Sequence, residues 1–301
     1  MSELAADRPG VVVRGGERGR GTLLLSAPPL LLLGLFFLAP IGIIALYSVG
    51  LLSLFPGDAR FTLDAWERFL STESIYLRLF WKSVWMALGV SATVVVLAYP
   101  VAYFLALAAG RRRYVLLLLI IAPFLTSFLL RVVAWRVILG DTGVVNSFLA
   151  WAGLRDPGSP VSWLIYSWFT VVLVLVYVWV PFVALPIFVT LEGLDRSLLE
   201  AAADLGADRW TTFRRVTLPL SLPGVMAAFV FVFIPTIGEF VTPQLVGGTS
   251  GYMYGQAVSN AFLQGLDWQT GSVLALFLLA VVGALMAAFG RFLQVRTVAA
   301  G

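Results

Sequence analysis

The stretch "LLEAAADLGADRWTTFRRVTLPLSLPG" (residues 198–224) lies between two strongly apolar runs, yet it carries Glu200, Asp204, Asp208, Arg209, Arg214 and Arg215. Its residues specify helices. Ser197-Leu198-Leu199-Glu200 has the S-x-x-E order of a capping box, with Ser197 as N-cap. Ala201, Ala202 and Ala203 are strong helix formers. Gly206 supplies the stop, because the residue just past a helix is often left-handed and then favours glycine. Asp208 can cap a second short helix over "RWTTFRRV". That helix is expected to end before Pro219, since the residue preceding a proline is pushed out of the helical region. On the first helix, Leu198, Leu199, Ala202 and Leu205 share a face and Glu200 and Asp204 occupy another. So short a helix is marginal alone and needs a surface to dock on. A helix lying on a membrane would show Lys and Arg opposite bulky apolar residues. Acids and small alanines fit close docking to a protein instead.

The surroundings of this segment belong in lipid. Of the 301 residues, 60% are hydrophobic and 12% charged, about half the charged share of a soluble domain. A lipid-facing surface must be apolar, because the bilayer core cannot hydrate charge. Six stretches reach the roughly 20 apolar residues a spanning helix needs: 23–50, 81–108, 114–138, 162–190, 222–245 and 271–290. The expected architecture is an all-α membrane protein with six transmembrane helices over 23–297, and a cytoplasmic helical segment at 195–219. Polar tails are expected at 1–22 and 298–301. The first apolar run is longer than a signal-peptide core and lacks a clear cleavage site, so it reads as a retained helix.

Basic residues orient the chain. Thirteen of the twenty fall on one side if the N-terminus is cytoplasmic, "GRRRY" at Arg111–Arg113 being the sharpest group. Both termini and residues 195–219 then face the cytoplasm. This placement of arginines at span ends fits membrane orientation better than nucleic-acid binding. Pro100, Pro181, Pro186, Pro235 and Pro243 interrupt spans, as packing kinks or as hinges.

With no Cys and no His, Cys/His metal sites, thiol nucleophiles and Ser-His-Asp triads are excluded. The single lysine, Lys82, follows Trp81, so no phosphate-binding GxxxxGK[ST] loop exists. If nucleotide powers this chain, another chain binds it.

Glu200-Ala201-Ala202, Gly206 and Val216-x-Leu218-Pro219 together match EAA---G---------I-LP, with Val in place of Ile. This resembles the signature of the permease subunits of type I ABC importers. "PFLTSFLLRVVAWRVILGDTGVVNSFL" (123–149), "FIPTIGEFVTPQLVGG" (233–248) and "DWQTGSVLAL" (267–276) look like the spermidine/putrescine branch, and the likeness covers most of 80–295. The resemblance implies that 195–219 is the coupling helix. Glu200, Ala201, Ala202, Gly206, Leu218 and Pro219 would serve a groove on a separate ABC ATPase that carries ATP and Mg. It also implies a second permease subunit (a heterodimer), an extracytoplasmic solute-binding protein, a bacterial inner-membrane location and no catalysis by this chain. An ATP-independent secondary transporter or channel is the alternative. It expects midplane ionisable relays or inverted repeats, and it leaves 198–219 without a role.

Ionisable groups inside spans are costly and mark candidate pathway residues. Arg131 lies 17 residues into the third span and Glu239 17 residues into the fifth, each about 25 Å up a continuous helix. Equal depth permits either a structural Arg131–Glu239 pair or a gate or solute contact. Pro235 and Gly238 point to a broken helix beside Glu239. Trp135, one turn after Arg131, could stack on a cation or sit at the interface.

Overall fold

The computed structural model describes residues 18–299 other than Pro56 and Pro157, with side chains over 27–291. Most of the expected N-terminal tail (1–17) and the last two residues of the C-terminal one lie outside the described residues.

Among the described residues twelve α-helices follow one another: α1 (Arg18–Ser48), α2 (Asp64–Leu70), α3 (Ile75–Tyr103), α4 (Arg113–Ile121), α5 (Phe128–Leu139), α6 (Val144–Trp151), α7 (Trp168–Glu192), α8 (Arg196–Asp204), α9 (Arg209–Thr212), α10 (Leu218–Ile237), α11 (Tyr254–Leu263) and α12 (Trp268–Ala299). Wide π-helical turns extend α3 (Phe104–Ala108), link α9 to α10 (Phe213–Thr217) and follow the end of α10 (Pro243–Gly247).

α3, α7 and α10 pack on one another as the central bundle. Val90, Val94, Ala98 and Ala102 form a fully buried i, i+4 ridge on α3. It meets Val171, Val174, Leu175 and Val178 of α7 and Ala228 and Val232 of α10. Small and β-branched side chains let membrane helices approach closely. Gly224 of α10 is required for the same reason: a Cβ there would lie 2.7 Å from Thr190 Cβ of α7. A second core closes the loop end of the bundle opposite Arg111–Arg113. There Phe277 sits 4.7 Å from Phe69 and 5.0 Å from Phe80, ring to ring, over Tyr254 and Ile237. α1 leans on α12, outside this bundle, and its Leu31 and Phe36 are 72% exposed. A face this apolar matches lipid or another membrane-embedded subunit.

Among the described residues, five helices are long and apolar enough to cross a membrane, and a bent pair of helices makes six if it is counted as one span. The expected third span, 114–138, is therefore not one helix. The stretches 110–125 and 128–151 diverge by 83°. Pro123 has no N–H to donate, and the chain tightens into a 3-10 turn at Ala122–Leu125. Thr126 then turns extended, and its Oγ1 donates to the Pro123 carbonyl at 2.6 Å. The fifth span also ends sooner than expected, at Ile237 rather than 245, because Gly238 and Glu239 leave the helix.

Candidate functional site

Residues 195–219 form an elbow beyond the ends of α7 and α10. Asp195, not Ser197, caps α8: its carboxylate accepts the Ser197 N–H at 2.9 Å. Both D-x-S and S-x-x-E fit the sequence, and the helix takes the earlier start, with Arg196 as its first residue. Gly206 turns the chain at φ +80°, as the stop requires. Asp208 caps α9 by accepting the Thr211 N–H at 3.0 Å. These bonds stabilise the ionised carboxylates. Ser197, through its backbone and then its side chain, holds Asp195 below the usual range; Thr211, through its side chain and then its backbone, does so for Asp208.

The second short helix does not end before Pro219. It widens into the π-helical turn and continues as α10, with Pro219 in the first α-helical turn. Pro219 lacks the N–H that a continuous helix would use, and the wide turn just before it accommodates that loss. The elbow is thus in helical continuity with a spanning helix. No residue of α8 or α9 is buried, and Leu205 is 88% exposed. Glu200, Ala201 and Gly206 are exposed, whereas Ala202 and Leu218 are half-buried. A hollow of about 500 Å³ lies in the angle of the elbow between Ala202, Gly206, Thr212 and Arg215. The elbow is thus an exposed, capped projection with a small-residue face.

Phe213 ties the elbow to the bundle. Its ring stacks on Trp210 at 5.5 Å and meets Tyr99 and Tyr103 of α3 edge-on at 5.8 and 5.7 Å. The Tyr99 and Ser221 hydroxyls are 2.8 Å apart, and Ser221 donates to the Leu218 carbonyl at 3.0 Å. Reading the sequence missed Tyr99, Phe213 and Ser221, because an aromatic or a serine in an apolar run carries no local mark of its distant contacts.

At the other end of α10, the chain breaks as Pro235 and Gly238 indicated. Glu239 Oε1 accepts the N–H groups of Val241 at 2.9 Å and Thr242 at 3.0 Å, so the carboxylate caps the next helical stretch. α11 crosses this break at very close range. A Cβ on Gly255 would collide with the Gly238 carbonyl and lie 2.7 Å from the Glu239 carbonyl oxygen. Arg131 is not its partner. Beyond the 83° bend, the Arg131 guanidinium lies 4.7 Å over the Phe124 ring, with Nε buried and unpartnered. The ion pair found among the described residues is Arg113–Glu192 at 2.8 Å. Equal depth followed from a straight third helix, and the bend removes it. Trp135 packs edge-on against Tyr177 at 5.4 Å, so its ring is engaged within the chain. Arg131 and Tyr177 share a mostly apolar cavity of about 300 Å³ with Leu97 and Pro181. Lys82 Nζ donates to the Tyr252 carbonyl at 3.0 Å, which holds the segment before α11 against α3.

A bundle of long apolar helices with one polar elbow held outside it is the architecture of a multi-pass membrane protein. Residues 95–298 match the family model of the binding-protein-dependent transport system inner membrane component, and the chain belongs to this family. It is 36% identical over 231 residues to the spermidine/putrescine transport system permease protein PotB of Escherichia coli, covering 77% of this chain and 82% of that one. It is 32% identical over 217 residues to PotB of Haemophilus influenzae, covering 72% and 75%. A solved bacterial alginate ABC transporter, in complex with alginate pentasaccharide-bound periplasmic protein, matches in fold. Its TM-score is 0.67 at 17% identity, over 93% of this chain and 96% of that one. The chain is a permease subunit of an ABC importer, a multi-pass inner-membrane transport component and not an enzyme.

Proposed function

We propose that this permease carries polyamines such as spermidine and putrescine inward, driven by ATP bound with Mg on separate ATPase subunits. The likeness to PotB across three quarters of the chain supports the solute class. The capped, exposed elbow supports the drive: α8 presents Glu200, Ala201, Ala202 and the Gly206 bend to an ATPase groove, and Leu218 and Pro219 carry the load into α10. A second, related permease completes the pathway, and an extracytoplasmic binding protein delivers solute. The arginine-rich face, with both termini and the elbow, is cytoplasmic. ATP binding draws the elbows together and turns the cavity outward; hydrolysis returns it.

Within the pathway we assign Glu239 as the acidic step for a cation. Arg131 and Trp135 stand on the bent third span as further candidates for the route, each held against an aromatic ring of this chain. The supporting observation is that Glu239 stands where backbone leaves the helix, the usual form of solute sites in membrane transporters.

The test is co-purification with ATPase subunits, followed by hydrolysis in the reconstituted importer. Binding protein loaded with spermidine or putrescine should raise hydrolysis, and unloaded protein should raise it less. Stimulation by other solutes only removes the polyamine assignment; absence of a bound ATPase removes the elbow assignment. Orientation is checked on the same chain, which has no native cysteine. A Cys at Asp58 or Asp156 should react with impermeant thiol reagent from outside, and one at Arg112 or Asp208 only from inside. Outside labelling at 112 overturns the orientation.

A further inference from the structure

The elbow is joined to α10 through a soft link. The π-helical turn Phe213–Thr217 replaces the regular i to i−4 ladder just where motion of α8 and α9 must enter the bundle. Such turns are wide, locally distorted and common at functional sites. A joint of this kind, left alone, would flex and absorb displacement of the elbow.

Tyr99 of α3 spans the joint. Its ring meets Phe213 edge-on at 5.8 Å, at the elbow side of the turn, with planes at 78°. Its hydroxyl reaches Ser221 at 2.8 Å, beyond the turn and on α10. Tyr103, one helical turn along, meets the other edge of Phe213 at 82°, and Trp210 stacks on its face. Tyr99 and Ser221 are both buried, so the hydroxyl contact is made away from solvent. Crossed rings resist slippage, because each edge fits against a neighbour's face. α3 therefore grips the chain on both sides of its soft point.

We infer that Phe213 and Tyr99 brace the π-helical joint, so that displacement of the elbow is delivered to α3 and α10 together instead of being lost in the turn. They are positioning residues: neither reaches the exposed face of α8 offered to the ATPase. This inference rests on the elbow being the ATPase docking segment. It adds that docking and transmission are separable and that the second depends on these two side chains.

The experiment measures solute taken up per ATP hydrolysed in the full reconstituted importer, with ATPase stoichiometry checked by co-purification. Phe213→Ala should retain bound ATPase and hydrolysis, while uptake per ATP falls about tenfold, within the usual range of coupling between sites. Tyr99→Phe keeps the ring and loses only the hydroxyl, and should lower the ratio about two- to tenfold, the loss expected for one neutral hydrogen bond. Ser221→Ala should lower it at least as much, because it also removes the bond to the Leu218 carbonyl, and the double variant should be no worse than Ser221→Ala alone, since the contact between the two hydroxyls is lost only once. An unchanged ratio in Phe213→Ala overturns the brace, as does a proportional fall in uptake and hydrolysis. If Phe213→Ala does not accumulate, Phe213→Leu keeps much of the bulk without the ring edges and is judged by the same ratio. Loss of bound ATPase from the wild-type chain is a different failure and strikes the docking assignment itself.

Discussion

α10 is interrupted at both ends, and the two interruptions are built in opposite ways. At its start, the elbow is capped by short-range hydrogen bonds that Asp195 and Asp208 accept from the Ser197 and Thr211 N–H groups, and α8 and α9 have no buried residue. At its far end, the Glu239 break is pinned by the rest of the chain: Gly255 touches its backbone, and Thr242 beside it is fully buried. Local capping with an empty outer face fits the docking role proposed for the elbow. Backbone-to-backbone contact with buried neighbours marks one whose geometry the chain itself must hold. Both depart from regular helix, yet damage to the first should cost coupling and damage to the second should cost the fold.

The largest effect is therefore expected at Gly255. Valine there drives side-chain atoms into the Gly238 and Glu239 carbonyls, and backbone cannot give way as a flexible side chain can. Overpacking typically costs about 1–3 kcal/mol, and a collision with backbone belongs at or above the upper end. Gly255→Val should lower the yield of folded permease and its melting temperature in detergent. A stable, active Gly255→Val would mean that the break adapts freely, and the contrast between the two ends would collapse.

At the elbow, the expected loss is of transport alone. Gly206 sits at φ +80° with open space around it, so valine there meets no neighbour but disfavours the left-handed bend. Glu200→Lys reverses a charge on an exposed face. Each variant should insert normally and melt close to wild type, while uptake is lost. Normal transport with ATPase bound, in either variant, removes this loop from coupling.

Two features near these sites show how far the sequence could be read. The Gly206 stop and the Asp208 cap are decided within four residues, so local rules sufficed. The cap at Asp195 was misassigned to Ser197 because two valid local patterns overlap, and only the helix start chooses between them. The bend at Thr126–Ser127 was hidden for another reason. Hydropathy reports which solvent a segment prefers, not its direction, and 114–138 is predominantly apolar on both sides of the bend despite Arg131 and Arg136. Pro123 was the one local sign, and similar prolines at 181 and 186 lie inside the unbroken α7. Once the third span bends, the equal depth of Arg131 and Glu239 disappears. α11 escaped because Gln256, Ser259 and Asn260 dilute its apolar pattern; it is recognised by what it packs on, which a single sequence does not state.

Glu239→Gln gives the smallest expected change and separates site from scaffold at the break. The amide oxygen of glutamine can still accept from Val241 and Thr242, so the cap survives in neutral form. Exchanging charged for neutral acceptors costs about 1 kcal/mol, a few degrees at most in melting temperature. If Glu239 serves a cationic solute, uptake should fall about tenfold while ATPase binding persists. Arg131→Gln in the same chain should not restore it, because Arg131 lies over Phe124 and makes no ion pair with Glu239. Rescue by the second substitution would show that the two charges meet in another state of the transport cycle. Full uptake in Glu239→Gln would leave the carboxylate with only its capping task, and the cation step would then have to be sought on the second permease.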